Sequence, residues 1–118
     1  MVGEAEKLRR RTKSFALRIV NLFRSLPHTE DARILGRQLL RSWTGMAANY
    51  RAACRSRSKA EFVAKIGIVV EEADETIFWL ELLIEAGIVR TDKLDGLLEE
   101  ANELVRIFSA SHRTARKK

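Results

Sequence analysis

Residues 48–84, ANYRAACRSRSKAEFVAKIGIVVEEADETIFWLELLI, decide the fold of this chain. The second part of this stretch carries apolar residues in steps of three and four, the spacing of one face of an amphipathic helix. The pattern from Ser58 to Glu61 is a capping box that starts this helix, and Gly87 is a C-cap glycine that ends it. Its apolar positions are residues 62, 66, 69, 73, 77, 80 and 84. The sequence therefore predicts a long central helix.

Three other segments show the same helical periodicity. Pro27 ends the first of them, because a residue that precedes proline is forced out of the helical region. Thr29 and Thr91 stand where N-cap residues are expected, one before the second helix and one before the fourth. The four predicted helices cover about residues 4–26, 30–54, 59–86 and 92–108. Short connections between amphipathic helices are typical of an antiparallel up-down four-helix bundle, so we expect an all-α fold with no sheet.

The length of 118 residues fits one domain, which we place over residues 1–118. The apolar pattern stops at Ser109, so we expect residues 109–118 to form a mobile basic tail. Cys54 is the only cysteine, which excludes an intramolecular disulfide. No apolar run follows the charged N-terminus and no long stretch is free of charge. We therefore expect neither a signal peptide nor a membrane span, and we assign the protein to the cytoplasm.

Charge is distributed unevenly along the chain. Residues 1–65 hold 15 Lys and Arg against 5 Asp and Glu, whereas residues 66–118 hold 7 against 11, and the formal net charge is +6. A basic half is suited to a polyanion or to the acidic half of a neighbouring copy. The candidate nucleic-acid-binding residues are Arg33, Arg37 and Arg41 along one helix edge, and Arg51, Arg55, Arg57 and Lys59 around the following turn.

Two other interpretations of these basic residues stay open. In the first, the side chains are solvated and the arginine stems cover apolar edges. We interpret the cations of the first helix in this way: Arg9, Arg10, Arg11, Lys13 and Arg18. In the second, the basic residues form ion pairs, within the bundle or between copies, with an acidic face of the third helix. That face consists of Glu71, Asp74, Glu81 and Glu85.

The third helix is apolar beyond a single stripe. Ile68, Trp79 and Leu82 lie outside its core face, and a helix with more than one apolar face usually contacts more than one neighbour. Tryptophan is also a frequent anchor at interfaces. We predict that these three residues belong to an oligomer interface. The alternative is that Trp79 packs against the first or fourth helix of its own chain.

The sequence lacks the patterns of an active site. Helix bundles hold di-metal centres with glutamates and Glu-x-x-His pairs, but no glutamate here has a histidine three residues later. The two histidines, His28 and His112, fall at a turn and in the predicted tail. Cys54 has no histidine placed to act as its base, and no phosphate-binding loop or serine elbow is present. We expect a protein that is not an enzyme, with no catalytic residue, no metal and no cofactor.

Four short motifs carry a family resemblance. They are GMAANYR at residues 45–51, RSKAEF at 57–62, EEADET at 71–76 and WLELL at 79–83. Together they resemble the small four-helix-bundle proteins related to the 23S rRNA intervening-sequence protein, and a weaker similarity extends from about Ser14 to Phe108. The motifs span the second and third predicted helices.

The resemblance implies an up-down bundle that assembles as a ring-like homopentamer. A related group, the accessory variability determinant of diversity-generating retroelements, binds nucleic acid and a reverse transcriptase. No catalytic residue is known for the family, so none is transferred. Our leading hypothesis is a non-enzymatic homo-oligomer that binds RNA or DNA, as an adaptor for a nucleic-acid enzyme such as a reverse transcriptase. The alternative is a structural or protein-binding oligomer whose basic half pairs with acidic faces of neighbouring subunits.

Overall fold

A computed structural model describes residues 3–117 as four helices with no strand among them. The helices are α1 (Glu4–Ser25), α2 (Glu30–Ala53), α3 (Lys59–Glu85) and α4 (Thr91–Lys117). Helix α2 packs along α3, α3 packs along α4, and α1 packs along α2. The all-helical fold predicted from the sequence is confirmed for these residues, and the packing is that of a bundle.

The helix ends follow the local sequence, with two differences from the prediction. The Ser58 hydroxyl accepts a hydrogen bond from the Glu61 N–H at 3.1 Å, as the capping pattern predicts. Gly87 adopts a φ of +73° after α3, a conformation that side chains other than hydrogen disfavour. The Thr29 hydroxyl does not cap α2; it donates instead to the Asp31 carboxylate, 2.7 Å away. Thr91 is the first residue of α4 and not the residue before it.

The predicted basic tail is helical as far as Lys117, so the prediction that α4 ends at residue 108 is wrong. The physical reason lies on α3, where Gly67 has no side chain. The imidazole of His112 occupies that space: its Nε2 atom lies 3.4 Å from the position that a Cβ atom on Gly67 would take. A polar side chain thus covers α3 where the sequence pattern requires an apolar one. Lys118, also part of the predicted tail, lies outside the described residues.

The core is built around α2 and α3. The Trp43 ring is fully buried, lies 4.1 Å from the Phe15 ring between centroids, and donates its Nε1–H to the Thr12 carbonyl at 3.0 Å. From the adjacent position of α2, the buried hydroxyl of Ser42 is hydrogen-bonded to the buried hydroxyl of Thr76 at 2.9 Å. These contacts attach α1 and α3 to neighbouring faces of α2.

The buried stripe of α3 is rotated slightly from the predicted one. Thr76 and Leu83 are fully buried, whereas the predicted core positions Ile77 and Ile84 are only partly buried. The rotation arises because α3 packs against α2 as well as α4, and α2 offers Ser42 as a hydrogen-bond partner for Thr76. A polar residue can therefore occupy a core position that an apolarity pattern does not mark.

Candidate nucleic-acid interface

The outward stripe of α2 is exposed along most of the helix. At steps of three and four it carries Arg37, Arg41, Thr44, Ala48 and Arg51, and it continues to Arg55 in the turn that follows; each of these residues is exposed. Arginines therefore occupy both ends of the stripe, and two small residues occupy its middle. At the helical rise of 1.5 Å per residue, Arg37 and Arg51 stand about 21 Å apart along the axis.

Two of the predicted binding residues on α2 are held by neighbours. Arg33 is half-buried, with its guanidinium 5.3 Å from the centroid of the Phe23 ring. Arg41 forms an ion pair with Glu75 of α3 and a hydrogen bond of 3.1 Å with Gln38. Both side chains therefore contribute to packing within the chain. Arg37, the third predicted binding residue on this edge of α2, forms no ion pair with another described residue.

The turn between α2 and α3 carries the densest group of free cations. Arg51, Arg55, Arg57 and Lys59 are all exposed, and none of them forms an ion pair with another residue in the range 3–117. Lys59 is the first residue of α3, where a cation is disfavoured by the helix dipole. The position of these four charges is therefore not explained by contacts within the described chain.

Helix α1 adds cations that we interpreted from the sequence as a solvated face. A groove of about 790 Å³ runs between α1 and α2, and its basic lining residues are Arg9, Arg10 and Lys13 from α1, Arg51 from α2 and Arg55 from the turn after α2. The sequence already contained the information that these basic residues of α1 and α2 lie close together. A short connection at residues 26–29 makes α1 and α2 antiparallel neighbours, which places the start of α1 beside the end of α2.

Cys54 lies where this groove meets a smaller cavity of about 430 Å³ at the end of the bundle. Its thiol raises the pKa of Arg9, so the guanidinium stays charged. Burial, together with the Cys54 thiol, raises the pKa of Tyr50, so the phenol stays neutral. Cys54 is thus surrounded by a cation and a hydroxyl, with no histidine lining either cavity, and it has the features of a packing residue.

The neighbouring cation Arg11 faces the opposite side of α1 and belongs to the structure of the bundle. Its guanidinium contacts the Glu100 carboxylate at 2.7 and 2.8 Å and the Glu103 carboxylate at 2.9 Å. This contact raises the pKa of Arg11 and lowers the pKa of Glu100. Arg11 therefore joins α1 to α4 and does not contribute to the groove.

The acidic face of α3 is exposed at Glu71, Asp74, Glu81 and Glu85. Within the described part of the chain, none of these four carboxylates pairs with a predicted binding residue. Among the described residues, the ion pair that a predicted binding residue forms joins Arg41 to Glu75, which lies on α3 outside this acidic face.

The predicted interface residues differ in exposure. Ile68 is 44% exposed, whereas Trp79 and Leu82 are half-buried. The Trp79 ring packs on its own chain and against Phe78, which is 52% exposed, with 4.9 Å between the ring centroids. Its Nε1–H is buried and has no hydrogen-bond partner among residues 3–117.

The described residues contain neither a candidate metal cluster nor a candidate membrane span. Residues 3–117 contain no cluster of three or more His, Cys, Asp and Glu side chains suited to a metal. None of the four helices has an uninterrupted apolar stretch that would span a bilayer.

Comparison with known proteins identifies the family. The model for the 23S rRNA-intervening sequence protein family matches residues 5–110. The chain belongs to this family. A solved structure similar to it is a Bacteroides thetaiotaomicron protein of the S23 ribosomal protein family, described as having unknown function. The two chains are 30% identical with a TM-score of 0.86, over 94% of this chain and 99% of the other. No curated protein matches the chain.

In this intervening-sequence family member, two of the motifs that suggested the family, residues 45–51 and 71–76, meet at the α2–α3 contact. The Asn49 amide donates to the Glu72 carboxylate at 2.8 Å. Gly45 lies against the same carboxylate, and a Cβ atom at this position would be only 2.6 Å from a Glu72 oxygen. Asn49 of α2 is half-buried, and its amide has a hydrogen-bond partner on α3. These motif residues therefore contribute to the packing of α2 against α3.

Proposed function

We propose that this protein is a non-enzymatic, homo-oligomeric helical bundle that binds RNA or DNA through its basic surface, as an adaptor for a nucleic-acid enzyme. One observation carries the proposal. Six of the seven basic residues selected from the sequence are exposed, and five of those six form no ion pair with another described residue. Exposed cations without a carboxylate partner are available to neutralise phosphates.

Phosphate contacts, and not base contacts, are the expected mode of binding. Proteins that stack bases present exposed aromatic rings beside the basic groove. Tyr50 is the aromatic residue adjacent to Arg51, but it is only 5% exposed and its ring packs against Phe108. The basic surface therefore offers charge without a stacking platform, and we expect little sequence preference.

The test replaces Arg51, Arg55, Arg57 and Lys59 together with Gln. Binding of labelled RNA and DNA oligonucleotides is measured over a salt series, with light scattering in parallel. The unmodified protein should lose affinity with salt at a log–log slope of roughly 0.7–0.9 per phosphate contacted. The variant should remain oligomeric and lose most of its binding, because the four replaced charges form no ion pair with another residue in the range 3–117.

A matched control removes the same amount of charge elsewhere. Arg24, Arg90, Lys93 and Arg106 are exposed and lie outside the basic groove. Their replacement with Gln should leave most of the affinity intact. Equal losses in the two variants would mean that net charge alone attracts the nucleic acid. No binding by the unmodified protein at about 50 mM salt would refute nucleic-acid binding.

The alternative function, a structural oligomer, has one observation in its favour. The four unpaired carboxylates on α3 surround the exposed Phe78, so a neighbouring copy with a basic surface would match this face in charge. The same variant separates the two functions. Dissociation of the oligomer on loss of Arg51, Arg55, Arg57 and Lys59 would show that these residues join subunits, and a monomeric unmodified protein would refute assembly in both functions.

A further inference from the structure

We infer that the groove between α1 and α2 holds a single strand of nucleic acid, so that cations of α1 belong to the binding site. The inference rests on the proposed function. It adds to that function a second helix, contributing Arg9, Arg10 and Lys13, and the strandedness of the ligand.

The charges of the groove stand on both of its walls. Arg9, Arg10 and Lys13 line one wall, and Arg51 and Arg55 line the other. Arg10 is tied to Glu6 at 3.1 Å, and Glu6 is the single carboxylate in the lining. Among the described residues the other four cations have no carboxylate within ion-pair distance, so each is available to a phosphate. A ligand in the groove would meet positive charge from two sides.

The floor of the groove is made of small side chains. Thr44, Ala47 and Ala48 of α2 and Ala16 of α1 separate the two basic walls, and Thr44 and Ala48 are exposed. Small residues leave room for a sugar–phosphate chain to lie close to the helix backbone. The resulting volume of about 790 Å³ is open along the surface and is not filled by any described side chain.

The usual spacing of packed helices favours a single strand over a duplex. Packed helices are separated by about 8–10 Å between their axes. The major groove of B-form DNA alone is about 12 Å wide, so a whole duplex is too broad to reach a floor between two such helices. A duplex can touch only the rims, whereas a single strand can enter and bring consecutive phosphates between the two walls.

The test blocks the groove without changing any charge. Thr44→Leu with Ala48→Leu places two larger side chains four residues apart on the floor, at exposed positions of α2. Leucine is chosen because it fills space without offering a ring for base stacking. Thr114→Leu with Ala110→Leu is the matched control: the same residue types, at the same spacing, exposed on α4 outside the groove.

Each protein is measured with a labelled single-stranded oligonucleotide and with the duplex of the same sequence. The groove variant should weaken single-strand binding by about tenfold, which corresponds to about 1.4 kcal/mol, and leave duplex binding unchanged. The control should change neither. Full single-strand binding by the groove variant would overturn the inference. The proposed function would still stand in that case if replacement of Arg51, Arg55, Arg57 and Lys59 with Gln had abolished binding. Equal weakening of both ligands would overturn the single-strand assignment.

A second variant tests the α1 wall without altering the floor. Lys13 is exposed and forms no ion pair within the described chain. Lys13→Gln should reduce the salt slope of single-strand binding by roughly 0.7, the value for one phosphate contact. Lys93→Gln, on the first turn of α4, should leave the slope unchanged. An unchanged slope for Lys13→Gln would exclude this wall from the site.

Discussion

Trp43→Phe should reveal how strongly α1 is attached to the rest of the bundle. The indole is fully buried against Phe15, and its N–H donates to the Thr12 carbonyl at 3.0 Å. Loss of this hydrogen bond costs about 0.5–1.5 kcal/mol, because the carbonyl keeps its partner within α1. The two ring carbons that phenylalanine lacks add about 1.6 kcal/mol at 0.8 per buried carbon. The free energy of unfolding should therefore fall by about 2–3 kcal/mol.

Trp79→Phe is the matched control, since it makes the same chemical change at a different site. Trp79 is half-buried and its N–H has no partner among residues 3–117, so the expected cost is below about 1 kcal/mol. Urea unfolding, followed by circular dichroism at one fixed protein concentration, measures both variants. The reasoning is refuted if Trp79→Phe costs as much as Trp43→Phe, or if the Trp43 variant unfolds at the unmodified midpoint.

Two further predictions concern stability. Gly36→Ala should destabilise the protein by about 1–3 kcal/mol, because the new Cβ would lie 2.6 Å from a Leu26 methyl group; Gly96→Ala meets only the end of a long side chain and should stabilise α4 by about 0.5–1 kcal/mol. The Arg11 contact lowers the pKa of Glu100, so its stabilisation is present above the ordinary carboxyl pKa and is lost as pH falls through the lowered value. Arg11→Gln should therefore cost about 1 kcal/mol at neutral pH and little in acid.

Thermal or urea unfolding measures the stability of the two glycine variants and of Arg11→Gln. The two glycine variants should change the free energy of unfolding in opposite directions. A stabilising Gly36→Ala would mean that the contact between α2 and the end of α1 is looser than described. For Arg11→Gln, a cost that persists unchanged at a pH below the lowered pKa of Glu100 would show that the side chain acts through packing and not through the Glu100 charge.

The fold was predictable where apolar spacing and helix caps agree. Ser58 and Gly87 mark the ends of α3 in the sequence, and both act as predicted in the structure. The extent of α4 was not predictable in this way, because the contact that extends it joins His112 to the bare backbone at Gly67. That contact depends on which helix lies opposite, and helical periodicity within one segment carries no such information.

Helical periodicity also predicted only part of the candidate site. Periodicity placed Arg33, Arg37 and Arg41 along one edge of α2, and in the structure Arg37 and Arg41 are exposed there while Arg33 is half-buried. It could not separate Arg9 from Arg11, which lie two positions apart on α1 and face different neighbours. The packing of α1 against α2 and α4 decides that Arg9 lines the groove and that Arg11 is neutralised by a carboxylate on α4.

The placement of charge along the bundle gives the molecule a permanent electric dipole. The α2–α3 turn and the last turn of α4 put Arg57, Lys59 and Arg116 toward one end of a body 46 Å long, while Asp31 and Glu85 lie toward the other. Antiparallel helices largely cancel one another's backbone dipoles, so the side chains set its direction. A molecule with this asymmetry turns in the field of a polyanion before contact and arrives with its positive end first. Productive encounters would then be more frequent than random orientation allows, most of all at low ionic strength.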